Sequence, residues 1–135
     1  MDSKLNSISL ELRAMESDKA ASWLTEAYPI DSFEYGAAFQ FISCRSWKRA
    51  DQVRLARYYL QKIPFASAKA YEAFVSFMAL RQFFNIIKER LPSNKSDIDL
   101  LIYHLRPTLE NAVKTNADRE LVDFFLAELN RAVVK

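Results

Sequence analysis

The scarcity of glycine is the feature that most constrains the fold of this chain. Its 135 residues include one glycine, Gly36, and four prolines. The tight turns of β-hairpins mostly require glycine or asparagine at positive φ, so hairpins have little turn chemistry here. A hydrophobic content of 50% and an aromatic content of 13% exclude a disordered chain. The sequence therefore predicts an all-α fold.

The length predicts one helical domain, residues 1–135, which is long enough to bury a core without disulfides or metals. The single cysteine, Cys44, cannot form a disulfide within the chain. The N-terminus lacks the basic start and apolar run of a secretory signal, and no window of about 18 residues is free of charge. We therefore expect a cytoplasmic protein without a membrane span.

The longest helical pattern runs from Ser67 to Leu91, with Ser67 suited to cap its first turn and Pro92 placed to end it. The polar residues lie on one side of this predicted helix in its first half and on the opposite side in its second half. In the first half the apolar side chains are Tyr71, Phe74, Val75 and Met78; in the second half they are Leu80, Phe83, Phe84, Ile87 and Leu91, on the opposite side. This pattern predicts one central helix, 67–91, that crosses between two sets of partners.

Apolar spacing and capping residues predict the other helices, which bring the total to about six or seven around the central one. They cover residues 3–15, 17–29, 31–43, 46–62, 96–112 and 116–133. Leu5 and Val133 belong to the predicted buried stripes of the first and last of these. Asp31 with Glu34 has the spacing of a capping box, and Thr115 or Asn116 is suited to cap the last helix. The apolar phase persists across Pro107, which predicts a kink in that helix and not a break.

Residues with catalytic chemistry are sparse. One histidine, His104, and one cysteine, Cys44, are too few for a zinc site, and a single glycine excludes a glycine-rich phosphate loop. Folding can bring Cys44 and His104 together as a nucleophilic pair, but burial as a small apolar group is the commoner role of such a cysteine. The carboxylate pairs Asp97/Asp99 and Glu16/Asp18 lie at helix starts, where negative charge complements the helix dipole. We expect neither an enzyme nor a cofactor.

The outer side of helix 46–62 is the predicted protein-binding site. Val53, Ala56, Leu60 and Ile63 form its inward stripe. The opposite side carries the residue types that dominate binding hot spots, and the predicted site consists of Trp47, Asp51, Arg54, Arg57, Tyr58 and Gln61. The alternative is that Trp47 folds back on the core and Tyr58 packs under a neighbouring helix. Leu100, Tyr103 and Phe124 also lie off their apolar stripes, where they extend a contact surface or bury a second face.

These features favour a non-catalytic α-helical protein-binding module. Its most concrete form is a small cytosolic inhibitor or immunity-type protein that neutralises a partner such as a toxin or enzyme, since such proteins are commonly short, single-domain and free of motifs. The alternative is a nucleic-acid-binding or regulatory protein that uses the basic segment 45–62. Its cations are Arg45, Lys48, Arg49, Arg54, Arg57 and Lys62, which spread around the helix. The sequence leaves the partner and the oligomeric state open.

Overall fold

A computed structural model describes the backbone of residues 3–134 and the side chains of residues 6–132. Eight α-helices follow one another in this range, and two short 3₁₀ segments lie at Tyr35–Ala37 and Leu60–Lys62. The helices are α1 Ser3–Ala14, α2 Ser17–Ala27, α3 Ala38–Ile42, α4 Arg49–Tyr59, α5 Lys69–Val75, α6 Leu80–Glu89, α7 Lys95–Ala112 and α8 Asn116–Val134. Residues 3–134 contain no strand, which confirms the all-α class. The side chains of Leu5 and Val133 lie outside the described residues.

The predicted central helix 67–91 is wrong, because the chain turns between Ser76 and Ala79. α5 ends at Val75, and the backbone of Ala79 is extended, with φ −62° and ψ 135°, before α6 begins. The Ser76 hydroxyl donates a hydrogen bond of 2.7 Å to the carbonyl oxygen of Ala73. This bond satisfies one of the carbonyl groups in the last turn of α5. The exchange of apolar sides has a simple cause: two helices, each with its own buried stripe, meet at this turn.

The two halves of that stretch have different partners. α5 packs against α3, α4, α6 and α7, whereas α6 also packs against α4 and α8. Phe84 of α6 stacks on Phe125 of α8 with ring centroids 4.1 Å apart. A single straight helix would leave one of these apolar stripes facing the wrong neighbours, so the turn at Ser76–Ala79 buries more apolar area than a continuous helix could.

Helix ends agree with the sequence where a capping residue decides them. The Thr115 hydroxyl accepts a hydrogen bond of 3.0 Å from the N–H of Asp118, which confirms Thr115 as the cap of α8. α7 continues through Pro107, so the prediction that this proline does not break the helix is confirmed. Its cap is Asn94, so the helix begins at Lys95 and not at the predicted residue 96; the Asn94 side chain accepts from the N–H of Asp97 at 2.9 Å.

Two predicted helix starts are wrong. The pair Asp31/Glu34 forms no capping box; the segment turns there, and the N–H of Glu34 donates to the Ser32 hydroxyl at 3.1 Å. The third helix is therefore short and begins only at Ala38. The fourth begins at Arg49 instead of Ser46, after an extended Lys48 that precedes its first turn.

An aromatic cluster joins α3, α4 and α5 at the core. The ring of Phe39 lies 5.6 Å from Tyr59, 5.8 Å from Phe65 and 6.3 Å from Phe74, each in an edge-to-face arrangement. Such contacts contribute roughly 0.5–1.5 kcal/mol per pair beyond the burial of area. The cluster fixes segment 63–68 against α3, and this placement forms one side of the groove described below.

Candidate protein-binding surface

Trp47 is buried. Its side chain is only 6% exposed, and its indole N–H donates a hydrogen bond of 2.9 Å to the carbonyl oxygen of Ile42. The guanidinium of Arg45 lies 4.7 Å from the centre of the Trp47 ring and covers its outer side. The expectation that this indole faces outward is therefore wrong, and the alternative, that Trp47 folds back on the core, describes its position.

Asp51 is also buried, at 7% exposure, and joins the starts of two helices. The Ser17 hydroxyl donates a hydrogen bond of 2.6 Å to Asp51 Oδ2, and the same hydroxyl accepts from the N–H of Lys48 at 2.9 Å. A carboxylate in the first turn of α4 also complements the positive end of its dipole. This side chain holds α2 against α4 and is not available to a partner, so its predicted outward position is wrong.

Tyr58 and Arg54 contact neighbouring segments of the chain. The hydroxyl of Tyr58 accepts a hydrogen bond of 3.0 Å from the N–H of Ile30, and its ring meets that of Tyr59 edge-on at 4.9 Å. The guanidinium of Arg54 donates a hydrogen bond of 2.9 Å to the hydroxyl of Ser22 on α2. Asp51, Arg54 and Tyr58 of the predicted face therefore contact α2 or the segment that follows it.

Arg57 and Gln61 are exposed members of the predicted site. Arg57 forms a bidentate ion pair with Glu89 of α6, at 3.0 and 3.2 Å, in which both side chains are well exposed. The Gln61 amide donates to the carbonyl oxygen of Tyr58 at 2.8 Å. The structure does not assemble the six residues into one exposed patch; a binding role for Arg54, Arg57 and Gln61 stays a prediction.

Four of the six basic residues of segment 45–62 contact other groups of the chain. Arg45 Nη1 donates to the carbonyl oxygens of Leu12 and Met15, at 2.6 and 2.8 Å, and so satisfies the C-terminal end of α1. The ammonium group of Lys62 lies 5.1 Å from the centre of the Tyr35 ring. With Arg54 and Arg57 also bonded to protein groups, this segment does not present a continuous row of free cations.

An open groove of about 860 Å³ runs between the segment 33–43 and the start of α5. Its aromatic lining consists of Tyr28, Phe33, Tyr35, Phe39 and Phe65, and small residues also line it. The small residues are Gly36, Ala37, Ala66, Ala70 and Ala73. A Cβ built on Gly36 would meet nothing within 4 Å, which shows that the space above this residue is open. The groove can therefore accept side chains from a second molecule without moving its own backbone.

Phe33 is the most exposed large apolar side chain among the described residues, and it lines this groove at 94% exposure. An isolated apolar residue at the surface is ordinary, but this exposed ring lies at a groove whose lining combines apolar and polar groups. Glu34, Lys69 and Glu72 add charges of both signs to the lining. Among residues 6–132, none of these three side chains takes part in an ion pair.

Sequence reasoning missed Phe33. The predicted helix 31–43 puts this ring on a helix side and not in a turn. The available signal was that a large apolar residue follows Pro29 closely, in a stretch that contains Asp31 and Ser32, both common in turns.

Burial raises the pKa of two tyrosines next to the groove. Removal from water raises the pKa of Tyr71 to about 12, although its hydroxyl accepts a hydrogen bond of 3.1 Å from the N–H of Phe65. Burial also raises the pKa of Tyr59, whose hydroxyl donates to the carbonyl oxygen of Tyr28 at 2.9 Å. Both hydroxyls serve as neutral links within the core. They hold segments 28–30 and 65–67 in place at the groove.

Cys44 and His104, the residues considered for catalysis, each contact other parts of the chain. Cys44 is partly buried against the core, and its carbonyl oxygen accepts from Arg13 Nε at 2.9 Å. The backbone oxygen of His104 accepts a hydrogen bond from the hydroxyl of Thr108. The ring centroids of His104 and Tyr103 lie 5.0 Å apart. Over the described part of the chain, no three His, Cys, Asp or Glu residues are grouped so as to hold a metal ion.

The two off-stripe aromatics of the last helices are exposed, Tyr103 by 73% and Phe124 by 63%, and Leu100 by 38%. They do not bury a second face.

Between residues 3 and 134, no helix combines the length and apolar character needed to cross a membrane. The chain matches no protein-family model, no curated protein and no solved structure.

Proposed function

We propose that this protein is a non-catalytic protein-binding domain that acts in the cytoplasm through the groove between segment 33–43 and α5. Its most concrete form is an inhibitor or immunity-type protein that neutralises a toxin or an enzyme. The observation that carries the proposal is the exposure of Phe33, at 94%, beside a groove lined by Tyr35, Phe39 and Phe65. Aromatic anchors next to a pocket are typical of binding hot spots.

A protein fits this surface better than a small molecule does. A small molecule in the groove could cover only the side of the Phe33 ring that faces the groove, whereas a protein surface can cover the groove and the rest of the ring together. The open mouth and the mixed charges of Glu34, Lys69 and Glu72 also suit a polar rim around an apolar centre, which is the usual arrangement of protein interfaces.

Nucleic-acid binding is less favoured. Arg45, Arg54 and Arg57 each donate hydrogen bonds to protein groups, so contacts with phosphates would compete with contacts that hold the helices together. A protein that neutralises several phosphates loses affinity steeply as salt rises. We expect weak, salt-sensitive binding here, and submicromolar binding to one nucleic acid at physiological salt would overturn this ranking.

Photo-crosslinking at Phe33 tests the proposal. A benzophenone amino acid is placed at position 33 in one protein and at position 124 in a matched control, and both are irradiated in the native cells. We expect a specific protein adduct from position 33 that is absent from position 124. The cross-linked protein is then purified, and its affinity is measured by calorimetry with wild type and with Phe33→Ala.

Two results would contradict the proposal: no protein adduct at position 33, or a purified partner that binds wild type and Phe33→Ala equally. A third measurement concerns the inhibitor form. If the partner is an enzyme or toxin, its activity should fall in proportion to the complex formed. Full activity in the complex would exclude the inhibitor form and leave an adaptor.

A further inference from the structure

The outward face of α7 carries a second apolar stripe. Leu100, Tyr103 and Pro107 follow one another at spacings of three and four residues, so they share one side of the helix. All three are exposed, with Tyr103 at 73%. The opposite side of α7 already buries Ile98, Leu101, Ile102, Leu105 and Leu109 in the core. One apolar side is enough to dock this helix on its own domain, so the outer stripe is left over.

Four charged residues flank the outer stripe on one side. Their spacings of four, seven and four residues keep them in register along the helix, in the order basic, acidic, basic, acidic: Lys95, Asp99, Arg106 and Glu110. Residues at equal distances from the midpoint of this row, which lies next to Tyr103, carry opposite charges. Such a row is complementary to its own antiparallel copy.

We propose that α7 is a self-association surface, on which a second copy of this chain packs antiparallel about Tyr103. A two-fold axis perpendicular to the helix brings the same flank of both copies together and reverses its direction. Asp99 then lies opposite Arg106 of the second copy, and Lys95 lies opposite Glu110 of the second copy. Each pair occurs twice, and the apolar stripes meet between them.

The existing contacts leave the central charge pair available. Asp99 is paired only with Lys95 within its own helix, at 3.8 Å, and both side chains are more than half exposed, so this contact is weak. Among the described residues, Arg106 forms no ion pair. Glu110 already accepts two hydrogen bonds from Arg119, at 2.6 and 3.0 Å. The Asp99–Arg106 pair is therefore the more informative one to test.

The size of the contact predicts a weak dimer. α7 has 18 residues, which corresponds to a length of about 27 Å. A contact made by one such helix from each copy belongs to the low end of specific interfaces, below about 1,200 Å². We expect self-association that is reversible on dilution. This surface is separate from the groove at Phe33, so the two proposals can fail independently.

Sedimentation velocity over a concentration series measures the association. Wild type should form dimers as its concentration rises, and Tyr103→Glu should weaken dimerisation by at least about tenfold. Phe124→Glu is the matched control, because Phe124 is similarly exposed but lies on α8; it should dimerise like wild type. Circular dichroism confirms the fold of each variant, and Tyr103→Ser replaces Tyr103→Glu if the latter does not fold.

A mixing experiment tests the antiparallel register. Asp99→Arg places arginine opposite Arg106 of the second copy, and Arg106→Asp places aspartate opposite Asp99, so neither variant should associate with itself. When the two are mixed, both pairs regain opposite charges, and a mixed dimer should form. A wild type that stays monomeric, a dimer unaffected by Tyr103→Glu, or a mixture that does not associate would each overturn the proposal.

Discussion

Replacement of Trp47 separates a structural role from a binding role. The indole is 94% buried by area and donates a hydrogen bond to Ile42, so its removal takes a large apolar group and a buried donor from the core. Loss of a buried tryptophan to alanine costs about 3–5 kcal/mol. We therefore expect Trp47→Ala to lower the free energy of unfolding by that amount.

The size of the effect can be translated into a melting temperature. At roughly 2.1 cal/mol/K per residue, a chain of 135 residues has an unfolding entropy of about 0.28 kcal/mol/K. A loss of about 3–5 kcal/mol then lowers the melting temperature by about 11–18 °C. Trp47→Phe retains most of the ring but leaves the Ile42 carbonyl without its donor, and should cost about 1–3 kcal/mol.

Urea denaturation followed by circular dichroism measures these losses, with Phe124→Ala as the exposed control. That control should change stability by no more than about 0.5 kcal/mol. A Trp47→Ala protein that loses less than about 1 kcal/mol would refute the assignment of Trp47 to the core. Its outward-facing, partner-binding role would then have to be reconsidered.

Three further predictions test the fold. Phe84→Ala should cost about 3–5 kcal/mol in urea denaturation, because Phe84 is buried and stacked on Phe125. The control Phe124→Ala should cost at most about 0.5 kcal/mol. Equal losses would contradict the packing of α6 on α8. Ala79→Ser should raise stability by about 1 kcal/mol if Ala79 caps α6, but lower it by a few tenths in a continuous helix, so the sign of the change decides. The raised pKa of Tyr71 keeps its phenol protonated in the folded state while the unfolded state loses the proton, so the free energy of unfolding should fall from about pH 10 to about pH 12. In Tyr71→Phe this fall should be smaller. An unchanged pH profile in that variant would exclude Tyr71 as its source.

The sequence predicted those features that depend on local chemistry. Thr115 caps its helix because a hydroxyl can accept a hydrogen bond from a free N–H of the first turn, wherever that helix packs. Pro107 could be retained in α7 because the apolar residues on both sides of it keep the same phase. The all-α class followed from the lack of turn residues.

The errors arose where distant contacts decide the structure. No glycine or proline marks the turn between Ser76 and Ala79, so local signals favoured one helix, while separate packing of the two halves favoured two. The spacing of Trp47 and Asp51 placed them opposite one apolar stripe, but the sequence could not show that α2 covers that side as well. The groove beside Phe33 depends on the position of segment 65–67 against α3, which no local pattern specifies.

Binding of a partner protein at the groove beside Phe33 is tested most directly by comparing affinity with stability for Phe33→Ala. Because the Phe33 ring is 94% exposed, its removal should change the free energy of unfolding by no more than about 0.5 kcal/mol. The same substitution should weaken binding to the purified partner by at least about 2 kcal/mol, measured by calorimetry. Unchanged affinity in a stably folded Phe33→Ala protein would contradict the assignment of this groove.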